Sequence, residues 1–134
     1  MSWDRIIGQH RVKQLLRRMF DNERIPHALL FFGPEGVGKD AAAVAFARTL
    51  NCEAGAWDPC GKCPACHGIA ELRHPNLKLI FAMPAKADES DALDKLTTDE
   101  LEELNQQITE KAENPYHHIR MAKASVIKVS SVRD

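Results

Sequence analysis

The sequence predicts an α/β fold, and three observations predict it. Ala28 to Phe32 is an unbroken apolar run of strand length. Gly33-Pro34-Glu35-Gly36-Val37-Gly38-Lys39 follows as a glycine-rich turn ending in a lysine. Asp40 to Leu50 then reads as a helix that is apolar nearly all round. A continuous apolar strand suits a parallel sheet covered on both faces, and an alanine-rich helix packs closely on such a sheet. The Gly33-x4-Gly38-Lys39 spacing between them fits a phosphate-binding loop.

The other elements follow in chain order. Trp3 to Gln9 is a short lead-in containing Ile6-Ile7-Gly8-Gln9. From His10 to Phe20 the apolar residues Val12, Leu15, Leu16, Met19 and Phe20 recur at helical spacing, with Arg11, Lys13, Arg17 and Arg18 on the other side as a solvated face. Pro26 bars helix continuation. His67 to Leu72 is a short helix stopped before Pro75, and Leu77 to Phe81 is a second strand ended by Pro84. Residues 85–99 are polar and acidic, a surface excursion. Thr97-x-x-Glu100 resembles a capping box, and Leu101, Leu104, Ile108 and Ala112 continue it as an amphipathic surface helix of about 12 residues. Val126 to Val129 is a short strand, and Ser130 to Asp134 opens another helix. A fold whose first strand lies near residue 30 needs more strands than these, so the 134 residues are expected to be an N-terminal portion.

Composition narrows the class. Apolar content is 44% and charged content 28%, ordinary for a soluble globular domain. No apolar run approaches the roughly 18 residues of a membrane span, and no signal-peptide h-region is seen, so a cytoplasmic, non-membrane protein is expected. Net charge is −1. Residues 1–50 carry eight basic and five acidic residues, whereas residues 84–113 carry ten acidic and three basic ones. No bulk field that would attract nucleic acid results.

The chemistry of the glycine loop is geometric. Gly33, Gly36 and Gly38 permit tight turns and close approach of backbone N–H groups to phosphate oxygens. The following helix adds unpaired N–H donors and the positive end of its dipole, and Lys39 can reach the terminal phosphates. The next residue is normally a serine or threonine whose hydroxyl helps to hold magnesium. Here it is Asp40. A carboxylate can ligate magnesium, but it also repels phosphate oxygens; its plain alternative is first-turn helix stabilisation. No apolar run ending in acids, the pattern of a Walker B strand, occurs in the chain.

All four cysteines fall in Cys52-x7-Cys60-x2-Cys63-x2-Cys66. Such a cluster in a cytoplasmic chain points to metal rather than disulfides. Four thiolates suit a closed tetrahedral zinc site that staples a segment too short to bury its own core. An iron–sulfur cluster, a redox pair at Cys60 and Cys63, and unligated thiols are the alternatives. Lys62 is a candidate for balancing thiolate charge, and His67 adjoins the set as a bystander.

Together these residues resemble the N-terminal ATPase-type domain of the bacterial DNA polymerase III clamp-loader subunits, the gamma/tau and delta-prime family of the AAA+ superfamily. The resemblance runs through Ile6-Ile7-Gly8-Gln9, Pro26 to Phe31, Gly33 to Lys39, the alanine-rich helix, Leu50-Asn51-Cys52, Pro59 to Cys66 and His74-Pro75-Asn76. Ile127-x-Val129-x3-Arg133 also fits, and residues 85–118 fit least. It implies a P-loop NTPase three-layer sheet, present as its portion ahead of Walker B. Residues 52–66 would be an inserted zinc module, and 85–118 an acidic insertion with an amphipathic helix. It further implies Gly33, Gly36, Val37, Gly38, Lys39 and Asp40 at the ATP/magnesium site, Ile7 and Gly8 on its adenine side, and Cys52, Cys60, Cys63 and Cys66 as structural zinc ligands. The implied partners are other clamp-loader subunits in a hetero-oligomer and, through the complex, the sliding clamp and primer-template DNA. Asp40 tilts the resemblance toward delta-prime, a non-hydrolysing stator with no catalytic residues of its own. An active gamma/tau-type ATPase is the alternative, and a zinc-containing nucleic-acid-binding module outside replication is a third reading.

Overall fold

The computed structural model describes residues 3–84, 96–122 and 124–127. The elements are a 3-10 turn at Trp3–Arg5, then α1 (His10–Asp21), α2 (Lys39–Asn51), α3 (Pro64–Ala70), β1 (Met83–Pro84), α4 (Thr98–Glu113) and β2 (Ala124–Val126). They fall into two compact units, Met1–Leu77 and Lys78–Asp134.

The first unit is built on α1 and α2. Val12, Leu16, Met19 and Phe20 of α1 meet Ala41, Ala42, Ala45 and Phe46 of α2 in one cluster with Trp3, Ile6, Leu29, Phe31 and Trp57. Leu15 of the expected α1 stripe instead stays half exposed. Small alanines let α2 lie close to its neighbours, and its buried residues run round most of the helix. The lead-in is fastened by Lys13, whose Nζ donates to the carbonyls of Trp3 at 3.0 Å and Ile6 at 2.6 Å. The Trp3 and Trp57 rings stack at 4.6 Å and 11°, and Phe20 and Phe46 meet Trp57 at 6.1 and 6.4 Å. Thr49, 1% exposed, closes the assembly. Its hydroxyl accepts from Trp3 Nε1 at 2.9 Å and has the carbonyls of Trp57 and Ala45 at 3.0 and 3.2 Å for its own proton.

The segment expected as the first strand differs from expectation. Residues 28–32 carry no regular secondary structure. They do alternate: Leu29 and Phe31 pack on the core, while Leu30 and Phe32 are each 87% exposed. An apolar run encodes burial on two faces, but a ladder needs a neighbouring strand, and among the described residues none pairs here. Residues 77–81 likewise carry no strand.

Within the second unit, β1 pairs antiparallel with β2, Met83 opposite Val126 and Pro84 opposite Ala124, with an irregularity in between. This ladder is the only one among the described residues, so no three-layer sheet is seen in them. Proline, lacking an N–H, is tolerated in so short an edge strand. Leu104 and Met121 form a small core with Phe81, Leu96, Ile108 and Ala124 around it. The capping box of α4 is present: Thr97 N donates to Glu100 Oε2 at 2.8 Å, and Glu100 N donates to Thr97 Oγ1 at 3.4 Å. The helix runs 16 residues, longer than its apolar stripe suggests. Lys111, only 4% exposed, extends its role by donating to the carbonyls of Pro115 and His117 at 3.3 and 2.6 Å. Most of the acidic stretch (85–95) and the expected elements beyond 127 lie outside the described residues.

Candidate functional site: a glycine loop and a four-sulfur cage on one helix

Both candidate sites lie in the first unit, against α2. The glycine loop forms its N-terminal end. Gly36 and Gly38 have φ of 77° and 91°, a region that L side chains enter at a cost, and Gly38 is the N-cap of α2. A cap residue without a side chain leaves the first turn's N–H groups uncapped by any side chain. A Cβ added at Gly36 would meet nothing within 4 Å, so the loop there is open. Lys39 folds back across it, its Nζ donating to the carbonyls of Gly33 at 3.0 Å and Pro34 at 2.8 Å. An ammonium that bridges carbonyls in this way is already poised over the loop, and an anion entering there would replace two carbonyl acceptors. Asp40 lies exposed in the first turn of α2. Ile7, 81% exposed, and Gly8, with φ 67°, precede α1. Gln9 joins this segment to the loop through Nε2, which donates to the Val37 carbonyl at 3.5 Å. In the sequence Gln9 is only the last residue of the Ile6-Ile7-Gly8-Gln9 lead-in; this long-range contact gives it a place.

The cysteine segment leaves the C-terminal end of α2 and returns through α3, which packs on α2. The four sulfurs of Cys52, Cys60, Cys63 and Cys66 all lie within 4.8 Å of one another. One ion bound by sulfur at about 2.3 Å sets tetrahedral sulfur–sulfur separations near 3.8 Å, so the cage matches a single ion after slight contraction. A four-iron cube, with each thiolate on a separate corner, spreads its sulfurs farther. All four cysteines are free thiols, Cys52 and Cys66 buried, and Cys60 and Cys63 half-buried. They are positioned to bind a metal ion.

Backbone amides prepare the sulfurs. Cys60 N donates to Cys52 Sγ at 3.3 Å, and Cys66 N donates to Cys63 Sγ at 3.4 Å, so that Cys63 caps α3. The Cys60 amide, assisted by Ala54, holds the Cys52 thiol below its ordinary pKa. The amides of Lys62 and Cys63 do the same for Cys60. Cys66 is the opposite case: burial pushes its thiol up to about 11, despite hydrogen bonds from Gly61 and Arg48. The Lys62 side chain is exposed, so its contribution is its amide rather than its charge. His67 is exposed and outside the ligand set. Arg48, read from sequence only as part of a nearly apolar helix, is buried beside the cage. The signal that could have found it is a lone cation in the last turn of a helix that leads directly into four thiolates.

Comparison with known proteins places this sequence among subunits of DNA polymerase III. The family model described as "DNA polymerase III, delta subunit" matches residues 8–129, and the chain belongs to that family. The chain is similar to subunit tau of Bacillus subtilis (strain 168), 42% identical over 65 residues, which are 48% of this chain and 12% of that protein. It is 39% identical to subunit delta′ of the same organism over 72 residues, 54% of this chain and 22% of that protein. It is 43% identical to subunit gamma/tau of Mycobacterium tuberculosis (strain ATCC 25618 / H37Rv) over 70 residues, 52% of this chain and 12% of that protein. The matched part is thus no more than 22% of the length of any of these three relatives. No solved structure matches the chain significantly.

Proposed function

We propose that this chain is the first part of the AAA+ domain of a clamp-loader subunit, acting as a delta-prime-like stator within a hetero-oligomer that places the sliding clamp on primer-template DNA. The observation that carries the reading is Asp40 in the first turn of α2, within a loop that otherwise keeps the glycines and Lys39. The backbone N–H groups of Gly33, Gly36, Val37 and Gly38, with Lys39, would hold the phosphates of ATP, and Ile7 and Gly8 would flank its base. Asp40 supplies no hydroxyl for magnesium and sets a negative charge beside the phosphates. The loop therefore serves as a scaffold that orders the N-terminus of α2. The three-layer sheet of the family would be completed by strands outside the described residues, with Leu30 and Phe32 covered there. Residues 85–118 would be an acidic insertion.

Cys52, Cys60, Cys63 and Cys66 would hold one structural zinc ion, and residues 52–66 would form its module. Support comes from the sulfur separations and from the amide hydrogen bonds that the Cys52 and Cys63 sulfurs accept. Zinc supplies folding energy there and leaves no open coordination position for catalysis.

An active gamma/tau-type ATPase is the second reading, favoured by the Lys39 bridge across the loop and by the relatives named tau and gamma/tau. Substitution of Lys39 by alanine separates the two in a reconstituted clamp-loading assay. The stator reading expects K39A to load clamps at the wild-type rate. Loss of loading in K39A, with the complex still assembled, would favour the ATPase reading.

A further inference from the structure

We propose that Arg48 is a positioning residue of the four-thiolate centre: its guanidinium offsets the negative charge of the cage and orients the Cys66 sulfur. The proposal rests on the reading above that the cage holds zinc. Four thiolates on one divalent cation carry a net charge of −2, and burying uncompensated charge is costly. Arg48 lies in the last turn of α2 and is 9% exposed. It hydrogen-bonds the Cys66 side chain, the most deeply buried of the four thiols at 0% exposure. Its Nη2 also lies against Gly61, where an added Cβ would sit 3.6 Å away. Gly61 has φ 72° and its amide donates to the same Cys66 sulfur. One guanidinium thus lies beside both the turn between Cys60 and Cys63 and the ligand on α3. The neighbouring cation suggested by sequence, Lys62, has an exposed side chain.

The placement has a second consequence. Arg48 is nine residues beyond Lys39 on the same helix, a rise of about 13 Å. The helix that begins at the glycine loop therefore ends by gripping the metal centre, so the centre stabilises α2 as well as its own segment.

The test uses the purified protein loaded with zinc, and compares wild type, Arg48→Met, Arg48→Gln, Arg48→Lys and Lys62→Met. Zinc content is measured by atomic emission, zinc release is followed with a chromophoric chelator during alkylation by iodoacetamide, and the thiolate-to-metal charge-transfer band is recorded after cobalt substitution. Removing the cation makes the thiolates stronger nucleophiles and weaker holders of metal. R48M and R48Q should lose zinc about 10-fold faster or more, the usual scale for outer ligands of a metal site. Their cobalt charge-transfer band should move to lower energy, a change that a packing role alone would not produce. R48K should stay near wild type, and K62M should match it. R48M and R48Q that keep full zinc, release it at the wild-type rate and leave the band unmoved would overturn the proposal. If neither neutral variant folds with zinc while R48K does, a charge at 48 is required and the proposal stands; if R48K also fails, Arg48 is a packing residue and the proposal falls. Wild-type protein without stoichiometric zinc contradicts the metal reading instead.

Discussion

Replacing Thr49 by valine should destabilise the first unit strongly for so small a change. Valine matches threonine in shape and β-branching, so packing and helix propensity barely alter. What disappears is a hydroxyl at 1% exposure that accepts from Trp3 Nε1 at 2.9 Å and has the Trp57 carbonyl at 3.0 Å. Both partners are left with an unmet polar group in a cluster of stacked rings. At about 1–3 kcal/mol for each buried group left unpaired, and with the two coupled through one hydroxyl, the expected loss is about 3 kcal/mol. With a urea slope of about 1.5 kcal/mol/M, the midpoint should fall by about 2 M. The assay is urea unfolding of the zinc-saturated protein followed by tryptophan emission, which reports Trp3 and Trp57 directly. Thr49→Ser, which keeps the hydroxyl and loses one methyl, should cost about 1 kcal/mol. A T49V midpoint within about 0.3 M of wild type, on the same slope, would refute the claim that this hydroxyl joins the lead-in to α2.

Three further outcomes follow from the local geometry. Thr97→Ala removes the hydroxyl of the capping box on α4 and should cost about 1 kcal/mol, read as earlier amide exchange in residues 98–101 with little change in the first unit. In metal-free protein, Cys60, held low by the amides of Lys62 and Cys63 and half-buried, should alkylate before Cys66. The Cys66 thiol is raised from 9.0 to about 11 in the folded chain. A raised folded value favours the protonated form, so its contribution to metal-free stability is complete below pH 9 and lost as pH rises from 9 to 11. Denaturation midpoints that rise across that window would contradict the burial of the Cys66 thiol.

Three of the four helices were legible because their signals are local; α3, expected over His67 to Leu72, instead spans Pro64–Ala70, with Pro64 at its first position and Cys63 as its cap. The stripe of Val12, Leu16, Met19 and Phe20, the glycines before Lys39, and the Thr97 and Glu100 pair each act within a few residues, and each element lies where the sequence places it. The cysteine cage was equally legible, since close spacing of four soft ligands leaves few geometries. Pairing was not. The run from Ala28 to Phe32 carries the hydrophobicity of a sheet strand, yet a ladder depends on a distant neighbour that no local pattern names. Trp57 and Arg48 were also hidden. Trp57 sits in an irregular segment and finds Trp3 across 54 positions of chain, and Arg48 is marked only by its place in the last turn ahead of the cysteines, on a helix that otherwise reads as apolar. Lys62, adjacent in sequence, was the more visible candidate for charge balance, and the fold assigns that place to a residue from another element.

On the proposed reading, the glycine loop of this clamp-loader family member is a scaffold disabled by Asp40. Titration of the purified protein with ATP in the presence and absence of magnesium, with phosphate release measured alongside, tests it most directly. No turnover and no gain in affinity from magnesium are expected, and Asp40→Thr should restore magnesium-dependent binding. Tight magnesium-dependent ATP binding with turnover by the wild-type protein, unchanged in D40T, would contradict it.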